Sequence, residues 1–492
     1  MTSLFLLALL AGGPAAAPPA GLPARTPTLP PPAAGRPIAA RPDTARVLRV
    51  GTDAPYRSVG AALADARPGD TVRVGPGVYR ESLLVDRPVA LLGTGRPVVD
   101  GGGRGHVVEI TAPGVTVRGF TLRSSGENPE REDAGIMVRA GPARIVDDRL
   151  EDVQYGIYLK DAPGSLVRGN VVRGKPFPLA RRGDGIRLWY SSGTRIVGND
   201  VSGARDVVVF FSDHLRIEDN HVTGGRYGLH YMYSNHNHIE GNRLEGNEVG
   251  AFMMYSKDIT LRRNVFGRSH GSSGFGIGLK DSDSLRVRDN LFAANRVGVY
   301  LDNSPHSIGV ENVLEGNVFL YNEAAVRLLP SVHSDRFTGN SFVGNGRPAD
   351  IPGGAVRGGA GQNDWTGNYW SGYAGFDADH DGMGDTPYSY ARLTDDLVSR
   401  VPELRIFDRS PAFPVLDALS RFFPLLRPEP VVVDSAPRLE AAALERWHTD
   451  PPVAADISER GRGARAVPAL LWVAAGVAGV AGAAVARPGR AR

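Results

Sequence analysis

The sequence predicts an all-β fold, a right-handed parallel β-helix with coils of about 22 residues. Two observations carry that prediction. The first is a repeat within Gly228–Asn264. Gly-Leu-His-Tyr-Met-Tyr-Ser, ending at Ser234, falls on Gly-Ala-Phe-Met-Met-Tyr-Ser, ending at Ser256, after a shift of 22 residues, and Asn242 falls on Asn264. The second is that the same beat runs through the chain. Strands open at Gly135, Gly156, Gly185, Asp206, Gly228, Gly250, Gly276, Gly298 and Ala325, and turn asparagines stand at Asn170, Asn199, Asn220, Asn242, Asn264, Asn290, Asn317 and Asn340. The asparagine intervals are 29, 21, 22, 22, 26, 27 and 23, so a coil of 21 to 23 residues carries occasional insertions. A leucine-rich repeat has a similar period but its own Leu/Asn consensus, and no helix-length segment lies inside these coils. One coil cannot bury its inward face alone; coils stacked at about 4.8 Å can.

A solenoid grows lengthwise around one core, so the 492 residues imply one long domain with appendages. Net charge is +3 and the aromatics are not interleaved with basic clusters, which excludes a nucleic-acid footprint. With no cysteine, disulfides, zinc-thiolate sites and cysteine nucleophiles are excluded.

In chain order, Leu4 to Ala11 is a short apolar run before Gly-Gly-Pro-Ala-Ala-Ala, so residues 1–17 read as a signal peptide without a leading Lys or Arg. Residues 18–44 are a Pro/Ala-rich linker. Tyr56 to Arg67 has helical spacing, Ser58 as N-cap and Pro68-Gly69-Asp70 as stop, and caps the solenoid's first coil. Short strands follow at Thr71–Val74, Val89–Leu92, Val107–Ile110 and Val115–Leu122, and the β-helix occupies 45–390. Loops enter ahead of Gly-led strands at Ser124–Asp133, Val172–Asp184 (with Lys175, Arg181 and Arg182) and Phe266–Gly274 (with Arg268 and His270). The asparagines suit a tight corner because Asn tolerates the left-handed conformation, and stacked amides bond along the axis.

Strand alternation sorts the side chains. The second, fourth and sixth positions of the Gly-led strands are apolar and point inward: Leu229, Tyr231 and Tyr233, with Tyr190 and Phe211 as equivalents of Tyr233, and Met253 by the same parity. The third position outside reads Arg187, Val208, His230, Phe252; the fifth reads Trp189, Phe210, Met232, Met254, then Lys280 and Asp302. Four successive coils therefore present an apolar stripe, which marks an interface, with Trp189, Phe210 and Phe252 as the partner surface. Within it His230, Met232 and Met254 combine imidazole with thioether, the soft donors that suit copper and Cu(I) above all. The competing account makes these methionines core filler. His236 and His238 fall on the following corner as solvated turn residues.

Asp377-Ala-Asp379-His-Asp381-Gly-Met-Gly-Asp385 opens like a calcium loop, with carboxylates at alternate positions and a glycine turn. Tyr388 stands where the bidentate Glu belongs, which leaves an ion-free Asp/Gly turn as the alternative to a structural Ca²⁺ on Asp377, Asp379, Asp381 and Asp385. Residues 391–440 form a segment unlike any coil. Ser410–Leu426 is apolar and broken by prolines, and reads as short amphipathic helices lying on a membrane or membrane partner, or packed back as a cap. Residues 441–467 are a linker. Pro468 to Ala486 carries no charge between flanking arginines and, at roughly 28 Å of helix, is long enough for a transmembrane anchor.

Gly-Ile-Arg-Leu-Trp-Tyr-Ser (185–191), Tyr-Gly-Leu-His-Tyr-Met-Tyr-Ser (227–234) and Gly-Ala-Phe-Met-Met-Tyr-Ser (250–256) resemble the NosD family. So do Asn368-Tyr-Trp-Ser371 with Asp377–Tyr388, and the tail Phe-Pro-Leu-Leu-Arg-Pro (423–428) with Val433-Asp-Ser435. The resemblance covers about residues 45 to 440; its Gly-Ile-x-Leu strands are generic, whereas the Tyr-Gly-x-His-Tyr-Met-Tyr-Ser strand and the tail are specific. It implies an exported β-helical accessory protein of nitrous oxide reductase maturation, outside the cytoplasmic membrane and associated with it. Such a protein would sit on an ABC-type transporter of permease and ATPase and supply copper, with sulfur as a second candidate cargo, to the reductase's copper centres. A membrane lipoprotein chaperone would deliver the copper. The resemblance carries over no ligand residues. The rival class is a carbohydrate-active β-helix enzyme, a lyase, epimerase or hydrolase, which needs paired carboxylates or a carboxylate/metal/Arg cluster on one outer face. Asp184, Asp206 and Asp213 are its candidates, but the outer third and fifth positions of the central coils are apolar, so a non-enzymatic protein is expected. A passive adhesion solenoid does not account for the specific tail.

Overall fold

The computed structural model describes residues 45–352, 363–407, 410–423 and 428–442. The expected signal peptide at 1–17, the linker at 18–44, the linker from 443 to 467 and the membrane anchor at 468–486 lie outside the described residues. No helix among the described residues is long and apolar enough to cross a membrane.

Three parallel sheets build a β-helix, as expected. Sheet I has 14 strands, from Val47–Val50 to Asp364–Thr366; sheet II has 13, from Val78–Tyr79 to Tyr369–Trp370; sheet III has 12, from Leu83–Val85 to Arg347–Asp350. Sheet III contains the Gly-led strands. Each coil contributes one short strand to each sheet and pairs with the next coil, so Tyr231 stands opposite Met253 and Ile239 opposite Leu261. The inward residues make one core along the stack. Like stacks on like within it: Phe266, Phe292, Phe319, Phe342 and Trp370 lie ring on ring at 5.1, 4.9, 4.7 and 4.2 Å.

One rule makes all three corners. A residue with left-handed φ is followed by a buried Asn or Ser whose side-chain oxygen accepts the N–H of the coil before. At the sheet I to sheet II corner the Asn220 amide N–H donates to Asn242 Oδ1 at 3.0 Å and the Asn242 N–H to Asn264 Oδ1 at 2.9 Å, while each Nδ2 also donates to the next Oδ1. The left-handed residue there is the one before each asparagine, Asp219, Gly241 and Arg263. That corrects the expectation that Asn itself adopts the strained conformation; its role is the buried amide ladder. A second ladder runs through Asn295, Asn322 and Asn345 between sheets II and III. A third, of Ser191, Ser212, Ser234 and Ser256, lies between sheets III and I.

Helix α1 (Val59–Asp65) is shorter than expected but starts where expected, with Ser58 Oγ accepting from the Ala61 N–H at 3.1 Å. Val59, Ala62 and Leu63 are buried in the core, so α1 closes the first coils. The expected strand Val115–Leu122 is two strands, Thr116–Arg118 and Thr121–Arg123, separated by a corner at Gly119 (φ 84°).

The other end closes differently. The last solenoid strand is Tyr369–Trp370, and Tyr388–Tyr390, counted in the solenoid from the sequence, instead pairs antiparallel with Val432–Asp434. Asp434 ends the Asn ladder. Its carboxylate accepts from the N–H groups of Gly367 and Asn368, from Asn368 Nδ2 and from Trp370 Nε1 at 2.9 to 3.1 Å.

Candidate functional site

Sheet III carries the outward stripe. Cross-coil register places Arg187, Val208, His230, Phe252 and Gly278 in one column and Trp189, Phe210, Met232, Met254 and Lys280 in the next. His230, Met232 and Met254 are half-buried on the outer side, whereas Leu229, Tyr231 and Met253 are buried in the core, as alternation requires. His230 and Met232 therefore share a face, and Met254 is the register partner of Met232. Lys280 and Asp302 close the stripe with an ion pair of 2.8 Å.

Tyr190, Phe211 and Tyr233 do not point inward. They occupy the left-handed position of the serine corner (φ 48°, 51° and 51°), together with Tyr255 (φ 53°), and that backbone turn carries the side chain outside. Tyr233 is 46 % exposed. The rings stack in sequence, Tyr190 on Phe211 at 5.0 Å, Phe211 on Tyr233 at 5.4 Å and Tyr233 on Tyr255 at 5.0 Å, and Trp189 meets Phe211 edge-on at 5.0 Å. The candidate site thus has an aromatic border that alternation missed. Its signal was in the sequence: an aromatic directly before each of Ser191, Ser212, Ser234 and Ser256.

Beside His230 lies a buried charge network. The 21-residue interval from Asn199 to Asn220 shortens one coil, and the pairing shifts by one residue between Asp206 and Val208. Asp206 stands opposite Tyr227, accepts its N–H at 3.1 Å, ion-pairs with Arg226 and lies 3.7 Å from His230 Nδ1. Burial opposes its ionisation, but the contacts and charge of His230 and Arg226 prevail and hold the carboxyl down at about 2. Asp184 pairs with Arg187 at 3.2 Å and Arg205 at 3.1 Å; burial, reinforced by Asp206, pushes its carboxyl up against those arginines. Both carboxylates have fully covered side chains. Asp213 stays apart on the serine corner, accepting from the Asn235 N–H at 2.6 Å.

Residues 169–375 match the family described as periplasmic copper-binding protein (NosD). Over 415 residues the chain is 32 % identical to a probable ABC transporter binding protein NosD from Pseudomonas aeruginosa, covering 79 % of this chain and 94 % of that one. The chain belongs to the NosD family. A NosD of the same description from Stutzerimonas stutzeri is 29 % identical over 382 residues, covering 75 % of this chain and 86 % of the relative. Among solved structures, the A-module of the mannuronan C-5 epimerase AlgE6 from Azotobacter vinelandii aligns with a TM-score of 0.50 at 16 % identity, over 64 % of this chain and 93 % of that one. That likeness is one of fold alone.

Outside the stripe, this NosD-family chain carries an acidic turn, a helical C-terminal segment and two paired histidines. Asp377, Asp379 and Asp381 bring ligand oxygens within 4.8 Å of one another, but Asp385 turns aside to accept the Ala378 N–H at 2.7 Å. Asp377 spends its carboxylate on the N–H groups of His380 and Gly382. In the C-terminal segment, helix α2 (Leu393–Arg400) is tied through Asp395 to the solenoid by Arg347 at 2.8 Å and to the antiparallel strand Tyr388–Tyr390 by Tyr390 at 2.7 Å. Helix α3 (Ala412–Phe422) is held to α2 by Thr394 on Asp417 at 2.9 Å. Its Val415, Leu416, Leu419 and Phe422 fall on one face and are exposed, Phe422 by 78 %. One segment thus both caps the solenoid and presents an apolar helix. His236 and His238 pair with Asp258 (3.4 Å) and Glu240 (2.6 Å), and His238 opens a strand instead of lying on the corner.

Proposed function

We propose that this protein is an exported accessory factor for nitrous oxide reductase maturation, working with an ABC-type transporter to supply copper, with sulfur as a further candidate cargo, to the reductase's copper centres. The observation that carries this reading is the convergence of His230, Met232 and Met254 on one outer face in a family described as copper-binding. Imidazole plus thioether without thiolate makes a soft, open site, suited to handing on Cu(I) and not to storing it. A copper-chaperone lipoprotein would load the site. Trp189, Phe210 and Phe252, bordered by the Tyr190–Tyr255 stack, form the surface on which the lipoprotein or the reductase docks. In this reading helix α3 faces the transporter permease or the membrane, the segment at 1–17 serves as the export signal to the periplasm and the segment at 468–486 as a tether to the cytoplasmic membrane. The Asp377–Asp381 turn holds a structural Ca²⁺ in this reading.

The carbohydrate-enzyme reading has a specific feature behind it, since Asp184 and Asp206 do come together on an outer face. Their side chains are sealed and neutralised by arginines, however, which leaves neither of the two open to a sugar.

Equilibrium titration of the purified protein with Cu(I) against a chromogenic chelator tests the proposal. One Cu(I) should bind with wild type and be lost in H230A/M232A/M254A. Unchanged copper binding in the triple variant, or elimination activity on uronate polymers, would overturn it.

A further inference from the structure

We infer that Asp206 is a positioning residue that fixes the ring orientation and tautomer of His230, presenting Nε2 to the incoming metal; the inference rests on the copper reading of the same face. The carboxylate lies 3.7 Å from His230 Nδ1, and its side chain is fully covered. Its oxygens are held by Arg226 and by the Tyr227 N–H at 3.1 Å, so it cannot swing away to solvent. The ring is confined as well. Phe210 and Tyr227 meet it edge-on at 5.0 and 4.8 Å, and its side chain is 14 % exposed.

A neutral imidazole carries one proton, and a carboxylate at Nδ1 draws it there. Nε2 is then left as the unprotonated donor. A metal-binding histidine with a carboxylate on its other nitrogen is more basic and pre-oriented, and loss of that carboxylate weakens metal binding roughly 10–100-fold. The device depends on coil length. The shortened coil sets Asp206 opposite Tyr227 and beside the histidine, where the neighbouring coils have Gly185 and Gly228 opening their strands. A glycine there has no side chain to reach His230.

Histidine-selective ¹⁵N labelling of the full chain, with the His230 signal assigned by comparison with H230Q, reads the tautomer without metal. At about pH 8.5, above the ordinary imidazole range, His230 should be the Nδ1–H form in wild type and move towards the Nε2–H form in Asp206→Asn. Asp206→Asn should also weaken Cu(I) binding about 10–100-fold. Arg226→Lys, which disturbs the same ion pair but keeps the carboxylate, should leave the tautomer as in wild type; this separates positioning from general damage to the network. A wild-type His230 in the Nε2–H form, or a tautomer indifferent to Asp206→Asn, overturns the inference. A tautomer that responds while copper binding ignores His230→Ala upholds the positioning and overturns the copper reading instead.

Discussion

Asp148 occupies an asparagine's place in the sheet I to sheet II ladder. Its N–H donates to Asn170 Oδ1 at 3.0 Å and its Oδ1 accepts the Phe120 N–H at 2.8 Å. An asparagine would direct Nδ2 at the next oxygen; the matching Asp148 Oδ2 is buried and has no partner. Burial pushes this carboxyl up to about 7, with the nearby Asp147 adding to the rise. Asp147 is itself paired with Arg118 at 3.1 Å. Because the folded state holds the proton more tightly than the unfolded chain, this group's stabilisation is complete at low pH, declines from about pH 4 to about pH 7, and is flat above. Chemical denaturation across that window should show wild type losing a few kcal/mol more stability than Asp148→Asn, where an amide supplies the donor at every pH. Tyr190, Phe211 and Tyr233 look like one more inward step of an alternating strand, and hydropathy does not encode the sign of φ. His230, Met232 and Met254 sit inside regular strand, where alternation is geometry, and their outward placement was legible for that reason.

Among elements, the Asp377–Asp381 turn and helix α3 make separate predictions. Three carboxylates within 4.8 Å repel one another: the Asp381 N–H lowers the Asp379 carboxyl, but the charge of Asp381, desolvation and the neighbouring Asp377 and Asp385 together push it up. A bound Ca²⁺ would relieve that repulsion. Millimolar Ca²⁺ should raise the melting temperature of wild type and have no effect on Asp379→Asn/Asp381→Asn, measured by differential scanning fluorimetry; a wild type indifferent to Ca²⁺ marks the turn as ion-free. The apolar face of α3 is exposed and contributes nothing visible to the core, so Leu419→Asp/Phe422→Asp should leave the melting temperature within about 2 °C of wild type, as surface changes do. The same double variant should lose co-purification with the transporter permease. The amphipathic spacing of this segment was readable from sequence. Its attachment through Asp395 and Asp417 was not, because a carboxylate's partner from another coil or helix leaves no local signal.

At the scale of the whole molecule, stability passes from coil to coil, and the ends are where it fails first. Asp434 terminates a ladder of buried amides with one carboxylate that accepts five N–H groups. Asp434→Ala strands those donors in a site without solvent and should cost more than about 2 kcal/mol. Hydrogen exchange should then quicken first at Trp365–Trp370 and only later around Leu91 and Val117; uniform loss of protection would instead mean that the solenoid unfolds as one unit. The sequence by itself determined the coil length, the stacking of coils it implies, the inward set apart from the corner aromatics and the outward His/Met stripe, because periodicity is a local property that backbone geometry converts directly into faces. Only the tertiary structure decided what lies beside that stripe: the stacked aromatics at the serine corner, the sealed Asp184–Asp206 network and the carboxylate next to His230. Those depend on the register between coils, where one residue more or fewer moves a side chain to a different neighbour, and register is set by hydrogen bonds between segments far apart in the chain.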